Sequence, residues 1–148
     1  MTIAFIGAGN MAGSLIRGLQ ASGYLPGEIV AADPAKSQLD VLSALGIKTT
    51  TDNAQAVVDA DIVVLAIKPQ ITGDVLQALP ALKPHQLVIS IVAGIDTHSL
   101  GDWRPDQQPI VRCMPNTPAL LGAGITGLYA NASVNDAQRV QAETILNG

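Results

Sequence analysis

The chain has 148 residues, of which 48% are apolar and 14% are charged. That length suits one domain with a sizeable core, and the apolar-rich, charge-poor composition excludes a disordered chain. The longest apolar run, Ile62 to Ile67, is far short of the roughly 18 residues a membrane span needs, so no membrane partner is expected. The single cysteine, Cys113, excludes an internal disulfide framework and a multi-cysteine metal site, and it fits a reducing cytoplasm. A net charge of −4, no basic run and only 3% aromatic residues argue against a nucleic-acid partner.

The chain opens on Ile3–Ile6, an apolar run that stops at Gly7 with no basic residues before it. It reads as a strand and not as a secretory signal. Helical spacing follows over Met11–Gln20, then a β-rich run at Ile29–Ala32 and a helix over Leu39–Leu45. The run Ile62–Ile67 predicts a strand, followed by a helix over Val75–Leu82. Leu87–Val92 and Pro109–Val111 predict two more strands, and Asn135–Leu146 a last helix capped at Asn135 and Asp136. Gly23, Gly46 and Pro84 fall where elements should end. The strands are continuously apolar, as strands covered on both faces are. Their alternation with helices predicts a Rossmann-like, doubly wound, mostly parallel α/β sheet in a single domain. An α/β chain that stops directly after a helix is expected to be part of a longer one.

Gly7-Ala8-Gly9-Asn10-Met11-Ala12 follows the first strand and opens the first helix. This is the G-x-G-x-x-A form of the dinucleotide fingerprint: Gly7 permits the tight turn, Gly9 admits the pyrophosphate to the backbone, and Ala12 keeps helix and strand close. The glycines alone are a weak signal, and the strand before and helix after strengthen it. Asp33 ends the next strand, 20 residues after Gly13, where a carboxylate accepts from ribose hydroxyls. It would repel a 2′-phosphate unless a cation such as Lys36 screened it. The pair Asp33-Pro34 also reads as a helix start, with proline at the first helical position.

Lys68 sets a charge directly after the apolar run that ends in Ala66 and Ile67, with Pro69 placed to start a helix. Ligands of open α/β sheets bind at that strand edge, although a lysine also simply snorkels at a strand end. Val92-Ala93-Gly94 would let a flat ring approach the backbone. In Arg112-Cys113-Met114-Pro115-Asn116-Thr117-Pro118 two prolines stiffen the loop that carries Asn116 and Thr117. Cys113 lies in an apolar strand without a nearby histidine, which argues against a nucleophile. His85 and His98 sit in polar loops and read as solvated. No metal ligand set is present.

The segments FIGAGNMA, AIKPQ at 66–70, AGI after the strand near residue 90, and RCMPNTPALLGAG at 112–124 together resemble bacterial pyrroline-5-carboxylate reductase, in family order and over the whole chain. The resemblance implies reduction of 1-pyrroline-5-carboxylate to L-proline, the last step of proline biosynthesis, with NADPH or NADH as reductant. It implies cofactor contacts at Ile6, Gly7, Ala8, Gly9, Asn10 and Met11. It also implies contacts at Asp33, at Asn53 beside the adenosine ribose, and at Ala66, Ile67, Lys68, Pro69, Val92, Ala93 and Gly94 towards the nicotinamide. Asn116 and Thr117 are expected near the cofactor or substrate.

The family also has a second, helical domain that makes the dimer and carries substrate-binding hydroxyls, and its SGSGP-type segment is not found here. Residues 1–148 are therefore expected to be the dinucleotide-binding domain, with no catalytic residue assigned within it. The chain by itself is expected to be monomeric or weakly associating through apolar residues such as Leu120, Leu121, Leu128, Ile145 and Leu146. Two alternatives stay open: a dinucleotide-binding module without its own catalysis, and the nucleotide domain of a β-hydroxyacid dehydrogenase, which shares the glycine loop but not CMPNTP.

Overall fold

Ile3–Ile6 forms β1, buried along its whole length, and everything that positions the site is built outward from it. The computed structural model describes residues 2–67, 74–75, 77–79, 82–83, 85–91, 108–115, 125–130 and 133–147. After β1 come α1 (Asn10–Ala21), a short 3-10 turn at Pro26–Glu28, β2 (Ile29–Ala32) and α2 (Lys36–Ser43). β3 (Lys48–Thr50), α3 (Asn53–Val57), β4 (Ile62–Leu65) and β5 (Leu87–Ser90) follow. β6 (Ile110–Pro115), β7 (Ile125–Ala130) and α4 (Asp136–Asn147) complete the described elements.

The seven strands make one sheet in the order β3-β2-β1-β4-β5-β6-β7. All neighbours pair in parallel except β6 and β7, which are antiparallel. This is a Rossmann-like doubly wound sheet with a final reversed strand, and its order turns back between β1 and β4, the switch point where such sheets bind ligands.

The continuous apolarity of β1 has a direct cause in the core. Successive side chains alternate between faces. Ile3 and Phe5 therefore pack with Leu15, Ile16 and Leu19 of α1 and with Ile145 of α4, whereas Ala4 and Ile6 pack with Ala56 and Val57 of α3 on the opposite face. Both faces are covered, so neither tolerates a polar position.

The helix ends are where local chemistry is clearest. α1 stops in a Schellman arrangement: the Tyr24 N–H donates to Leu19 O at 3.0 Å and the Gly23 N–H to Gln20 O at 3.1 Å, with Gly23 at φ +104°. α4 begins with a reciprocal cap. The Gln138 N–H donates to Asn135 Oδ1 at 2.8 Å, and Gln138 Oε1 accepts the Asn135 N–H at 3.0 Å.

Several expectations need correction. The strand expected over Ile62–Ile67 ends at Leu65, beyond which Ala66 adds one last bond to Ile6 O. The helix expected over Val75–Leu82 is helical at 75, 77 and 78 but no longer at Leu79 or Leu82, both of which turn inward and are buried. Pro34 is not the first helical residue, since α2 starts at Lys36 behind Ala35. Ile145, expected to be available for association, is fully buried in the core. Leu120 and Leu121 lie outside the described residues, as does Pro84. Among the described residues no helix is long and apolar enough to cross a membrane.

Candidate functional site

Three of the parallel ladders, β1 with β2, β1 with β4 and β4 with β5, continue by one hydrogen bond past their strands at the carboxyl edge. The Gly7 N–H donates to Ala32 O at 2.7 Å, the Ala66 N–H to Ile6 O at 2.8 Å, and the Ile91 N–H to Leu65 O at 3.1 Å. These bonds bring Gly7, Ala66 and Ile91 to one rim. Gly7 sits there at φ +104°, and a Cβ on it would lie 2.8 Å from the Ala66 carbonyl carbon. Only glycine fits, both for the backbone conformation and for the approach of the β4 chain.

Gly9 is a different kind of glycine. Its backbone is extended (φ −77°, ψ −166°), a conformation open to any residue. A Cβ there would meet only Gln38 Oε1, at 3.9 Å. The fold therefore does not require a glycine at this position; what its absence of a side chain leaves is open room at the start of α1. No side chain caps α1, and its first turn carries no acid. The Gly13 N–H closes the first helical bond onto Gly9 O at 2.9 Å, so the N–H groups of Asn10, Met11 and Ala12 precede the helical ladder. Ala12 is wholly buried against the β1 side of the core, which seats the helix close to the sheet. Uncapped N–H groups, a bare backbone and no competing carboxylate in the first turn suit the pyrophosphate of a dinucleotide.

In front of this edge lies a cleft of about 730 Å³. It brings together Ile6, Gly7, Gly9 and Met11 from the first turn, Asp33 after β2, and Asn53 at the start of α3. Ala66 and Ile67, past the end of β4, form its far wall. The strand stops just short of them, and this end of β4 is where the cleft opens. A second, smaller cavity of about 100 Å³ lies between α1 and α2, lined by Ala8, Gly9, Gly13, Arg17 and Gln38, among others.

Asp33 has a more definite role than either reading of it foresaw. Its Oδ2 accepts the Ala8 N–H at 2.8 Å and its Oδ1 accepts the Ala35 N–H at 2.7 Å. One carboxylate thus ties the glycine loop to the entry of α2. Ala8, expected as a cofactor contact, does not line the cleft, and its N–H is given to Asp33.

Sequence reasoning missed Ala32, Pro34, Gln38, Thr51, Val75 and Ile91, all of which line the cleft. Thr51 and Gln38 are exposed polar residues of the kind found on any surface, and only the topology marks them. Lys68, Pro69, Val92, Ala93, Gly94, Asn116 and Thr117 lie outside the described residues, as do the side chains of Asn10 and Cys113. His85 is exposed, as expected. Among the described residues no group of His, Cys, Asp or Glu is arranged to hold a metal.

The family model for NADP oxidoreductase, coenzyme F420-dependent, matches residues 2–94. The pyrroline-5-carboxylate reductase of Pseudomonas aeruginosa is 54% identical over 98% of this chain and 54% of its own length. Among solved structures, a pyrroline-5-carboxylate reductase from Coxiella burnetii superposes with a TM-score of 0.88 at 38% identity, covering 99% of this chain and 55% of that one. The Plasmodium falciparum pyrroline carboxylate reductase, solved with NADP bound, has a TM-score of 0.83 at 26% identity over 99% of this chain and 54% of its own. The chain spans about half the length of the relatives it matches.

Proposed function

The chain belongs to the NADP oxidoreductase, coenzyme F420-dependent, family, and from that premise we propose that it is the cofactor-binding part of a pyrroline-5-carboxylate reductase. In this reading residues 1–148 are one dinucleotide-binding domain, and the cofactor is the reduced form of NADP or NAD. The reaction is the conversion of 1-pyrroline-5-carboxylate to L-proline in the cytoplasm, with a homo-oligomer as the form of the whole enzyme. The reading has no place for a nucleic-acid or membrane partner.

The observation that carries the reading is the coincidence of the cleft with the fingerprint turn. The only described glycine of the turn with an unstrained backbone, Gly9, leaves open room before the uncapped N–H groups of α1. Likeness to the Pseudomonas aeruginosa enzyme along nearly the whole chain supports the substrate. When bound, the reduced nicotinamide would supply a hydride to the carbon of an imine already protonated on nitrogen, so that the addition gives the neutral ring amine directly.

The chain's own part is to bind and orient. Gly9 and the first turn of α1 would hold the pyrophosphate, Asp33 and Asn53 the adenosine side, and Ala66 and Ile67 would exclude water from the apolar wall of the cleft. Among the described lining residues only Asp33 is an acid, and its two oxygens already accept backbone N–H groups. Among its described lining residues the cleft thus offers no acid that is not already engaged by the backbone. That favours a domain that binds the cofactor and leaves the handling of protons to residues elsewhere.

The test pairs calorimetry with steady-state kinetics on this 148-residue chain. Dinucleotide binding with turnover far below roughly 1 per second is the expected result. Turnover at or above that rate would mean that the chain holds a complete site, and lack of binding to either dinucleotide would overturn the reading as a whole.

A further inference from the structure

We infer that Met11 is a modification site: hydrogen peroxide oxidises its thioether to the sulfoxide, and the sulfoxide weakens dinucleotide binding. The inference rests on the dinucleotide reading above. In the reaction the peroxide O–O bond breaks and an S–O bond forms. The sulfur gives up an electron pair, the peroxide is reduced, and its second oxygen leaves as water with both protons.

Three observations single out this sulfur. First, Met11 is 40% exposed, whereas Leu15, one turn further along the same face of α1, is 2% exposed and packs in the core. Met11 thus continues the buried stripe of the helix to the place where β1 has ended and the cleft opens. Second, of the described large apolar side chains that are exposed, Met11 lines this cleft, whereas Leu25, Val41, Val58 and Val140 do not. Its exposed surface therefore borders the space that a dinucleotide would fill, and covering it is favourable. Third, the described apolar lining is otherwise hydrocarbon, chiefly from Ile6, Ala66, Ile67, Val75 and Ile91. A thioether reacts with peroxide and these side chains do not.

The consequence follows from the place of Met11 on its helix. It is the second residue of α1, in a first turn with no side-chain cap and no acid, the turn that would hold the pyrophosphate. Oxidation turns a flexible apolar group into a polar one with partial negative charge on its oxygen. A dinucleotide seated over that oxygen would strip its water, which costs free energy. The oxygen also adds a competing acceptor on the turn whose N–H groups would hold the phosphates. Both effects oppose binding. In the other direction, a bound dinucleotide covers the sulfur and slows its oxidation, so the site is most sensitive when the cofactor is scarce.

The experiment treats the 148-residue chain with hydrogen peroxide, with and without saturating NAD+ or NADP+, and reads Met11 by peptide mass spectrometry. Calorimetric titration with both dinucleotides follows, before and after treatment. Met11 is expected to gain one oxygen, more slowly with dinucleotide bound, and affinity to fall at least about tenfold. Methionine sulfoxide reductase with dithiothreitol should restore it; dithiothreitol alone should not, which separates the effect from reversible oxidation of Cys113. Met11→Leu removes the sulfur, and whatever affinity that variant starts from, peroxide should not change it. Met11→Gln, polar and of similar length, should bind more weakly than Met11→Leu. A Met11 sulfoxide with undiminished affinity would overturn the inference, as would an equal peroxide effect in Met11→Leu. Equal oxidation rates with and without a dinucleotide that calorimetry shows to be bound would overturn it too, and each of these leaves the dinucleotide reading standing. An untreated chain that binds neither dinucleotide would overturn both.

Discussion

Gly7 and Ala66 meet across the switch point of the sheet, so close that a Cβ on Gly7 would stand 2.8 Å from the Ala66 carbonyl carbon. This contact joins the glycine turn after β1 to the residue that follows β4 at the cleft wall. Gly7→Ala would combine that clash with a φ of +104°. The backbone conformation alone costs about 1–3 kcal/mol for a residue with a side chain. The variant should therefore lose stability, seen as a lower urea midpoint, and lose dinucleotide binding with it. A wild-type midpoint would contradict the account of this turn.

A second prediction concerns the opposite edge of the sheet. Gln86 is buried just before β5, where its Nε2 donates to Val57 O at 2.8 Å and to Ala60 O at 2.7 Å, and its Oε1 accepts the Lys83 N–H at 2.7 Å. The Gln108 Nε2 adds a bond to Gln86 O. Gln86→Leu keeps the volume and removes three hydrogen bonds; Val57 O still accepts the Ala60 N–H, whereas Ala60 O and the Lys83 N–H lose the Gln86 partner, at about 1–3 kcal/mol each where water cannot replace it. A large fall in unfolding free energy is expected, with dinucleotide affinity unchanged in whatever fraction remains folded. A neutral effect on stability would mean that water takes over those partners.

α4 tests whether the last described helix is part of the core. Ile145 is fully buried, whereas Val140 on the same helix is 60% exposed. Ile145→Ala should cost about 2–5 kcal/mol, and Val140→Ala should stay within about 0.5 kcal/mol. Comparable effects from the two in chemical denaturation would show that α4 does not pack as described.

The parts of this molecule legible from sequence are those where one physical signal acts alone. β1 and β2 were bounded to the residue because a continuous apolar run ends abruptly at Gly7 or Asp33. β3 went unseen: Lys48-Thr49-Thr50 is a three-residue edge strand without apolar patterning. α3 has five residues, too few for a helical period to register. β7 pairs antiparallel with β6; Ile125, Thr126 and Tyr129 are strand-prone, but Gly127 breaks the apolar run that would have marked them. At the site, the glycine turn and Asp33 were visible as a fingerprint. That both Asp33 oxygens are engaged by the backbone, and that Gln38 reaches the same cleft from α2, depends on how distant segments are juxtaposed. Local spacing does not encode that.

The central claim is that the open backbone at Gly9 exists for a dinucleotide and not for the fold. Gly7 and Gly9 are both in the fingerprint, but only Gly7 has a strained backbone and a crowded Cβ position. Calorimetric titration of Gly9→Val with NADH and NADPH, alongside urea unfolding, separates the two roles. The account predicts a folded variant with stability within about 1 kcal/mol of the wild type and no measurable binding of either cofactor. Unchanged affinity in a folded Gly9→Val chain would contradict it.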